Sequence, residues 1–411
     1  MKSTIVVAIL AIIVALALTI CPDPEKPRYV PYTNANPSTN TNTNGDVVPV
    51  RFLGGDDKTM LTGFGHLPSK KNNSAPAPVI LLAHGLGLIQ GPSLNSYVRA
   101  FQSEGYAVFT FDYATFGRSD GIPRHEIHPY NHVRDIQAAI SMIVDSGSRN
   151  KSKSKIGIDV DVGIDGTRIG LWGTSLAGGH VLMAAAEDAA ASSASTTSEP
   201  SPIRAIVSQV PHIASGLESV LGSLIHNPVQ SSKGVAYVLL TFIKYAIWRI
   251  TTMTAMSSSD NNVNKNNEIP YISIAGPPGS AAILQNPGDE EGYLGTLNPA
   301  AEEEDTGWKN SATVMSVLRV LLYRPLNTLA KMAKNKRKKN SSGTATVDLL
   351  PPVLLIAAEK DSLCPAKYVQ TAKEYISNAE LITMPFIGHF DVYSGEELRI
   401  MLSAQVKFFN K

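Results

Sequence analysis

Apolar residues along this chain fall into short runs divided by polar and glycine-rich breaks. "VVPVRFL", "MLTGFG", "PVILLAHG", "YAVFTFDY", "RIGLWG", "IRAIVSQV", "PVLLIAAEKD" and "AELITMP" each read as a strand. Helical spacing lies between them in "LNSYVRAFQSE", in "NHVRDIQAAISMIVDS" and in the Ala- and Leu-rich stretch after Ser175. Apolar strands alternating with helices predict an α/β fold with a mostly parallel sheet covered on both faces. The first two strands, split only by "GGDDK", predict an antiparallel hairpin at one edge.

The alternation stops at about residue 212 and resumes at about 348. Between them stand "GVAYVLLTFIKYAIWRI", "YISIAGPPGSAAILQNPGDEEGYLGTLNPA" and "TVMSVLRVLLYRP". Residues 212–347 are read as a helical cap inserted between two parts of the core, residues 46–211 and 348–411. Lys244 and Arg249 argue against a membrane span in the first of these stretches, since charges are costly in lipid. "SGSRNKSKSK", "AAASSASTTSEPS" and "MAKNKRKKNSSGT" are read as solvated surface loops.

At the start, one lysine precedes an apolar run over residues 5–20, followed by Pro22 and Pro24. Residues 1–21 are read as a signal peptide or an N-terminal membrane anchor, with both versions open. Residues 22–45, polar and Pro-containing, are a flexible linker. The expected location is the secretory pathway, secreted or membrane-anchored, with the part after the linker luminal or extracellular. In that setting Asn72, Asn150 and Asn340 lie in sequons.

Composition adds exclusions. The chain has 411 residues, with 36 Lys plus Arg against 35 Asp plus Glu, a balance that carries no nucleic-acid footprint. Two cysteines, Cys21 and Cys364, are too few for a disulfide framework or a Cys-based zinc site. His125, His128 and His132 lack an accompanying metal-binding pattern and are read as part of a surface loop. Asp112 and Asp120 are read as structural turn carboxylates. Gly85 and Gly87 lack the Lys-Ser/Thr ending of a phosphate loop. No metal or cofactor is expected, and the oligomeric state stays open.

The chemistry concentrates around "IGLWGTSLAGGHVL". Ser175 sits where a buried strand turns into a helix, with Gly173 before it and Ala177, Gly178 and Gly179 behind. So sharp a turn needs small neighbours, and it exposes the hydroxyl. A serine nucleophile needs a base and an acid that orients the base. His389, on the loop after the last strand, and Asp361, just past the preceding one, fall at the same C-terminal sheet edge. The order Ser175, Asp361, His389 is that expected with a nucleophile elbow. The loop "LLAHGLGLIQG" would supply the oxyanion donors, the backbone N–H groups of Leu86 and Leu176. His84, Gly85 and Gly87 support that loop, with His84 orienting it rather than acting as the base.

The set "HGLG", "FDYATFGRSDG", "GTSLAGG", "AAEKDSLCP" and "GHFDVYSG" resembles the α/β-hydrolase superfamily. The resemblance runs from about Val47 to the C-terminus and includes "GPPGSAAILQNPGDEEGY". Within the superfamily the chain is similar to the serine-aminopeptidase-like and dienelactone-hydrolase-like branch, with esterases and fungal polyketide transferases. Two departures stand out. Ala177 replaces the second glycine of the elbow, and the nucleophile is serine where dienelactone hydrolases have cysteine. The resemblance implies hydrolysis of an ester, thioester or amide of a small-molecule or acyl substrate through an acyl-enzyme. An acyltransferase with the same triad and a non-catalytic binding protein of the same fold remain alternatives. Any membrane contact would run through the N-terminal segment.

Overall fold

The computed structural model describes residues 47–68, 75–91, 93–147, 163–194, 200–214, 216, 220, 228–257, 269–297, 306–341 and 350–411. All eight apolar segments form strands of one sheet: β1 (Val47–Leu53), β2 (Met60–His66), β3 (Ala77–Ala83), β4 (Ala107–Phe111), β5 (Ile164–Thr174), β6 (Ile203–Gln209), then β10 (Val353–Ala358) and β11 (Ala379–Met384). Their order across the sheet is β1-β2-β4-β3-β5-β6-β10-β11. β1 pairs antiparallel with β2, and β2 with β4, while every other pairing is parallel.

The central strands are covered on both faces, which is why their sequences are continuously apolar rather than alternating. Alternate residues serve separate cores. Val79, Leu81 and Ala83 of β3 join Leu355 and Ala357 of β10 on one face. Ile80, Leu82, Leu354 and Ile356 point to the other. The first face is covered by α2 (Pro129–Gly147), α3 (Leu176–Ala194) and α8 (Ala366–Tyr375), through Ile136, Leu182 and Val369. α1 (Asn95–Ser103) and α9 (Gly395–Phe409) cover the second with Tyr97, Phe101, Met401 and Phe408. β1, at the sheet edge, alternates buried Val50 and Phe52 with exposed Arg51 and Leu53, as a one-sided strand must.

Between β6 and β10 the chain forms α4 (Pro228–Ser257), β7 (Tyr271–Ala275), β8 (Ala282–Leu284), α5 (Asp289–Gly295), β9 (Ser311–Thr313), α6 (Val314–Leu322) and α7 (Pro325–Ser341). A helical cap was expected here; the three-stranded sheet β8-β7-β9 was not. Its strands are three to five residues long, too short to register as periodicity.

Three sequence expectations change. Met332 to Ser341 belongs to α7 rather than to a loop, since Ala, Met, Lys and Arg are good helix formers however polar the stretch. α3 likewise runs on to Ala194, into the segment read as a loop. A membrane-anchored topology is the third: among the described residues no helix is long and apolar enough to cross a membrane. The run over residues 5–20 that motivated it, and the linker after it, lie outside the described residues, as do Asn72 and Asn150. Asn340 lies within α7.

Candidate active site

Four turns meet at the C-terminal edge of the parallel strands, following β3, β5, β10 and β11. The turn after β5 carries Ser175 at φ 56°, a left-handed conformation that a side-chain-bearing residue adopts only under constraint. Its N–H donates to the carbonyl of Gln209 at 2.9 Å, and its carbonyl accepts from Gly178 and His212 at 3.0 and 2.8 Å. The elbow is therefore locked between β5, α3 and the residues after β6. A Cβ on Gly173 would collide with the Ala177 carbonyl and lie 3.0 Å from Val181. Gly173→Ala is expected to cost about 1–3 kcal/mol of stability and to slow reaction of Ser175 with a fluorophosphonate. Thermal unfolding and a labelling time course check both.

The Ser175 hydroxyl lies 3.0 Å from His389 Nε2, and His389 Nδ1 lies 2.7 Å from Asp361 Oδ2. This network assigns the proton to Nδ1, which donates to the carboxylate and leaves Nε2 to accept from serine. Asp361 is held in turn. Its other oxygen accepts the backbone N–H groups of Leu363 and Cys364 at 2.8 and 2.7 Å. The side chains of His389 and Asp361 are 4% and 0% exposed, so water scarcely competes for these bonds. Asp391, the nearest rival acid in sequence, is exposed and accepts from the Gly388 N–H at 2.7 Å. Asp348 lies outside the described residues. The Ser175–His389–Asp361 arrangement is a catalytic triad, and the chemistry it performs is that of a serine hydrolase working through an acyl-enzyme.

Leu86 and Leu176 line the same cavity as Ser175 and His389. Leu176 opens α3, where backbone N–H groups have no partner four residues earlier. Gly85 packs against the nucleophile, since a Cβ there would lie 3.2 Å from that of Ser175. Gly87 has φ 59°, and a Cβ there would strike Ile274 of β7. His84 is buried beneath the turn, its Nδ1 3.2 Å from the Gly85 carbonyl and its ring edge-on to Tyr113. Burial holds His84 neutral by pushing its pKa down to about 4. Two residues that sequence reasoning missed clamp this turn from the insertion. Tyr293 donates to the Leu86 carbonyl at 3.1 Å, and Trp308 Nε1 donates to the Gly87 carbonyl at 2.9 Å.

The other polar candidates are structural. Asp112 is buried, accepts from the N–H groups of Gln90 and Arg118 at 2.8 and 3.0 Å, and is raised by burial to about 6. Asp120 pairs with Arg51 at 3.2 Å. His125 and His132 are not surface residues: both are buried, and His132 stacks on Tyr113 at 4.1 Å. His180 meets Tyr323 Oη at 2.8 Å. His212, also missed in the sequence, lines the cavity and is pushed down to about 4 by burial and then by nearby His389. Among the described residues, the grouping whose ligand atoms approach within 4.8 Å is Asp361, Cys364 and His389, two of them triad members.

Above Ser175 opens a cavity of about 170 Å³. α4 faces it with Ser231, Val235, Val238, Leu239 and Phe242, which share one side of the helix. α6 contributes Val317, Leu318 and Leu321. The solved α/β hydrolase GrgF from Penicillium sp. sh18 superposes over 89% of this chain and 98% of its own, with TM-score 0.56 and 19% identity. The fold is that of the α/β-hydrolases. No family model matches the chain. The quorum-quenching protein AidA of Acinetobacter baumannii is 27% identical over 334 residues, 81% of this chain and 86% of that protein. Thiohydrolase aneE of Aspergillus aculeatus is 30% identical over 114 residues, 28% of this chain and 31% of that one. Ser175, Asp361 and His389 follow β5, β10 and β11, all at one edge of this sheet.

Proposed function

We propose that this α/β-hydrolase-fold enzyme hydrolyses esters or thioesters whose acyl group is apolar and uncharged. The lining of the cavity over Ser175 carries the reading. Leu88, Val238, Leu239, Phe242, Val317 and Leu321 surround it, and among the described residues no carboxylate, lysine or arginine lines it. An aminoacyl substrate would need an anion for its ammonium group, so the peptidase-like alternative has less support. The partial likeness to a thiohydrolase favours including thioesters.

In this reading Ser175 attacks the acyl carbonyl as His389 takes its proton, and Asp361 stabilises the imidazolium. The N–H groups of Leu86 and Leu176 receive the developing oxyanion, on a turn that His84 and the two glycines hold in place. His389 then protonates the leaving alcohol or thiol, and water repeats the sequence in reverse. Residues 212–347 act as a cap that shapes the acyl pocket between the two core parts, 46–211 and 348–411.

A chain-length series of p-nitrophenyl esters tests this. Each buried methylene contributes about 0.8 kcal/mol, so kcat/KM is expected to rise roughly fourfold per added carbon until the cavity is full. Carboxylated and aminoacyl esters are expected to turn over more slowly. Fastest turnover of the acetyl ester, or of a charged acyl group, would overturn the substrate reading.

A further inference from the structure

The elbow and the histidine loop are joined behind the site as well as across it. Thr174, immediately before Ser175, places its hydroxyl 2.6 Å from that of Tyr393, four residues beyond His389. Gln209 Nε2 donates to the same threonine oxygen at 3.3 Å and to Tyr97 Oη at 2.9 Å. Tyr97 in turn donates to the carbonyl of Val392 at 3.3 Å. Two hydrogen-bonded routes therefore run from the end of β5 and β6 to adjacent residues of the loop that holds His389.

The hub of these routes is itself fixed. Gln209 Oε1 accepts from Gln405 Nε2 at 2.6 Å, and Gln405 Oε1 accepts from Trp172 Nε1 at 2.7 Å. The backbone carbonyl of Gln209 is the acceptor for the Ser175 N–H. Tyr97, Trp172, Thr174, Gln209 and Gln405 are all buried. A buried polar side chain is costly unless its partners are present, so such a network holds together as a unit. Apolar residues would fill this space without that liability. What the polar set adds is a fixed distance between two loops that must deliver Ser175 and His389 to within 3.0 Å.

We propose that the Thr174–Tyr393 hydrogen bond, held by Gln209, is a positioning link that sets the Ser175–His389 geometry. The proposal rests on the triad reading. Thr174 acts through its neighbour Ser175; Tyr393 also lines the cavity, so its ring has a second duty that the phenylalanine variant preserves.

The test is a double-mutant cycle of Thr174→Val and Tyr393→Phe, with Thr174→Ser as the conservative control. Three quantities are read for each: kcat and KM on a p-nitrophenyl ester, the rate of fluorophosphonate labelling, and the thermal midpoint. A misplacement of about 1 Å costs on the order of a hundredfold, so each single variant is expected to lose about 10- to 100-fold in kcat and in labelling rate. KM should change little. The double variant should be no worse than the poorer single, because both remove one shared bond. Thr174→Ser should recover most of the rate. Should Thr174→Val fail to fold, Tyr393→Phe and Thr174→Ser still decide the matter. Losses that multiply in the double variant, a loss confined to KM, or an unchanged kcat in Tyr393→Phe would overturn the link. Absence of Ser175 labelling in the unaltered protein would instead overturn the triad reading itself.

Discussion

Ser175→Ala is expected to lower turnover roughly a millionfold, leaving only the residual rate that oxyanion donors and substrate binding provide without a nucleophile. Alanine meets the same backbone constraint at φ 56° as serine does, so the elbow should fold as before. The loss should therefore appear with an unchanged thermal midpoint. A fluorophosphonate should label the unaltered protein at Ser175 and leave the variant untouched. Labelling should also fall sharply in His389→Ala, because the hydroxyl 3.0 Å from Nε2 would lose its proton acceptor. Retained turnover in folded Ser175→Ala, or modification of a different serine with full inactivation, would remove this residue from the mechanism.

Asp361→Asn is expected to cost about 10⁴-fold in kcat, through the histidine tautomer rather than through folding. One carboxylate oxygen accepts the N–H groups of Leu363 and Cys364, and an asparagine carbonyl can keep that duty. Its amide then faces His389 Nδ1 as a donor. Nδ1 must accept, the ring proton moves to Nε2, and the base is no longer open to Ser175. Asp391→Asn should have little effect, since that carboxylate serves the exposed Gly388 turn. Steady-state kinetics with circular dichroism on both variants gives the answer. Equal losses in the two would show that the acid has been misassigned.

The parts legible in the sequence are those governed by local rules. Eight apolar runs became the eight strands of the sheet, the central ones continuously apolar because they are buried on both faces. Gly173 and the small residues after Ser175 gave away the elbow, and strand ends gave Asp361 and His389. What escaped depends on residues distant in the chain. The partners in the Thr174–Tyr393 bond lie 219 positions apart. Trp308 reaches Gly87 across 221. His125 and His132 looked exposed because their stretch is polar, yet aromatic rings and α6 close over them: the Ile127 N–H donates to Ser316 of that helix at 2.8 Å. α7 was hidden by its composition, since its buried stripe through Leu326 and Leu329 is short beside its run of lysines and asparagines.

The sheet order has a consequence for how the enzyme is made. β10 lies beside β6, although everything from residue 210 to 352 is synthesised between them. Closing so long a loop costs entropy before any pairing returns it, and such distant pairings slow folding. Ser175 can thus be in place on a half-built sheet while Asp361 and His389 are still on the ribosome or unpaired. Hydrolytic activity in a refolding or translation time course would then mark the last strands docking, a later event than the first appearance of helix and sheet.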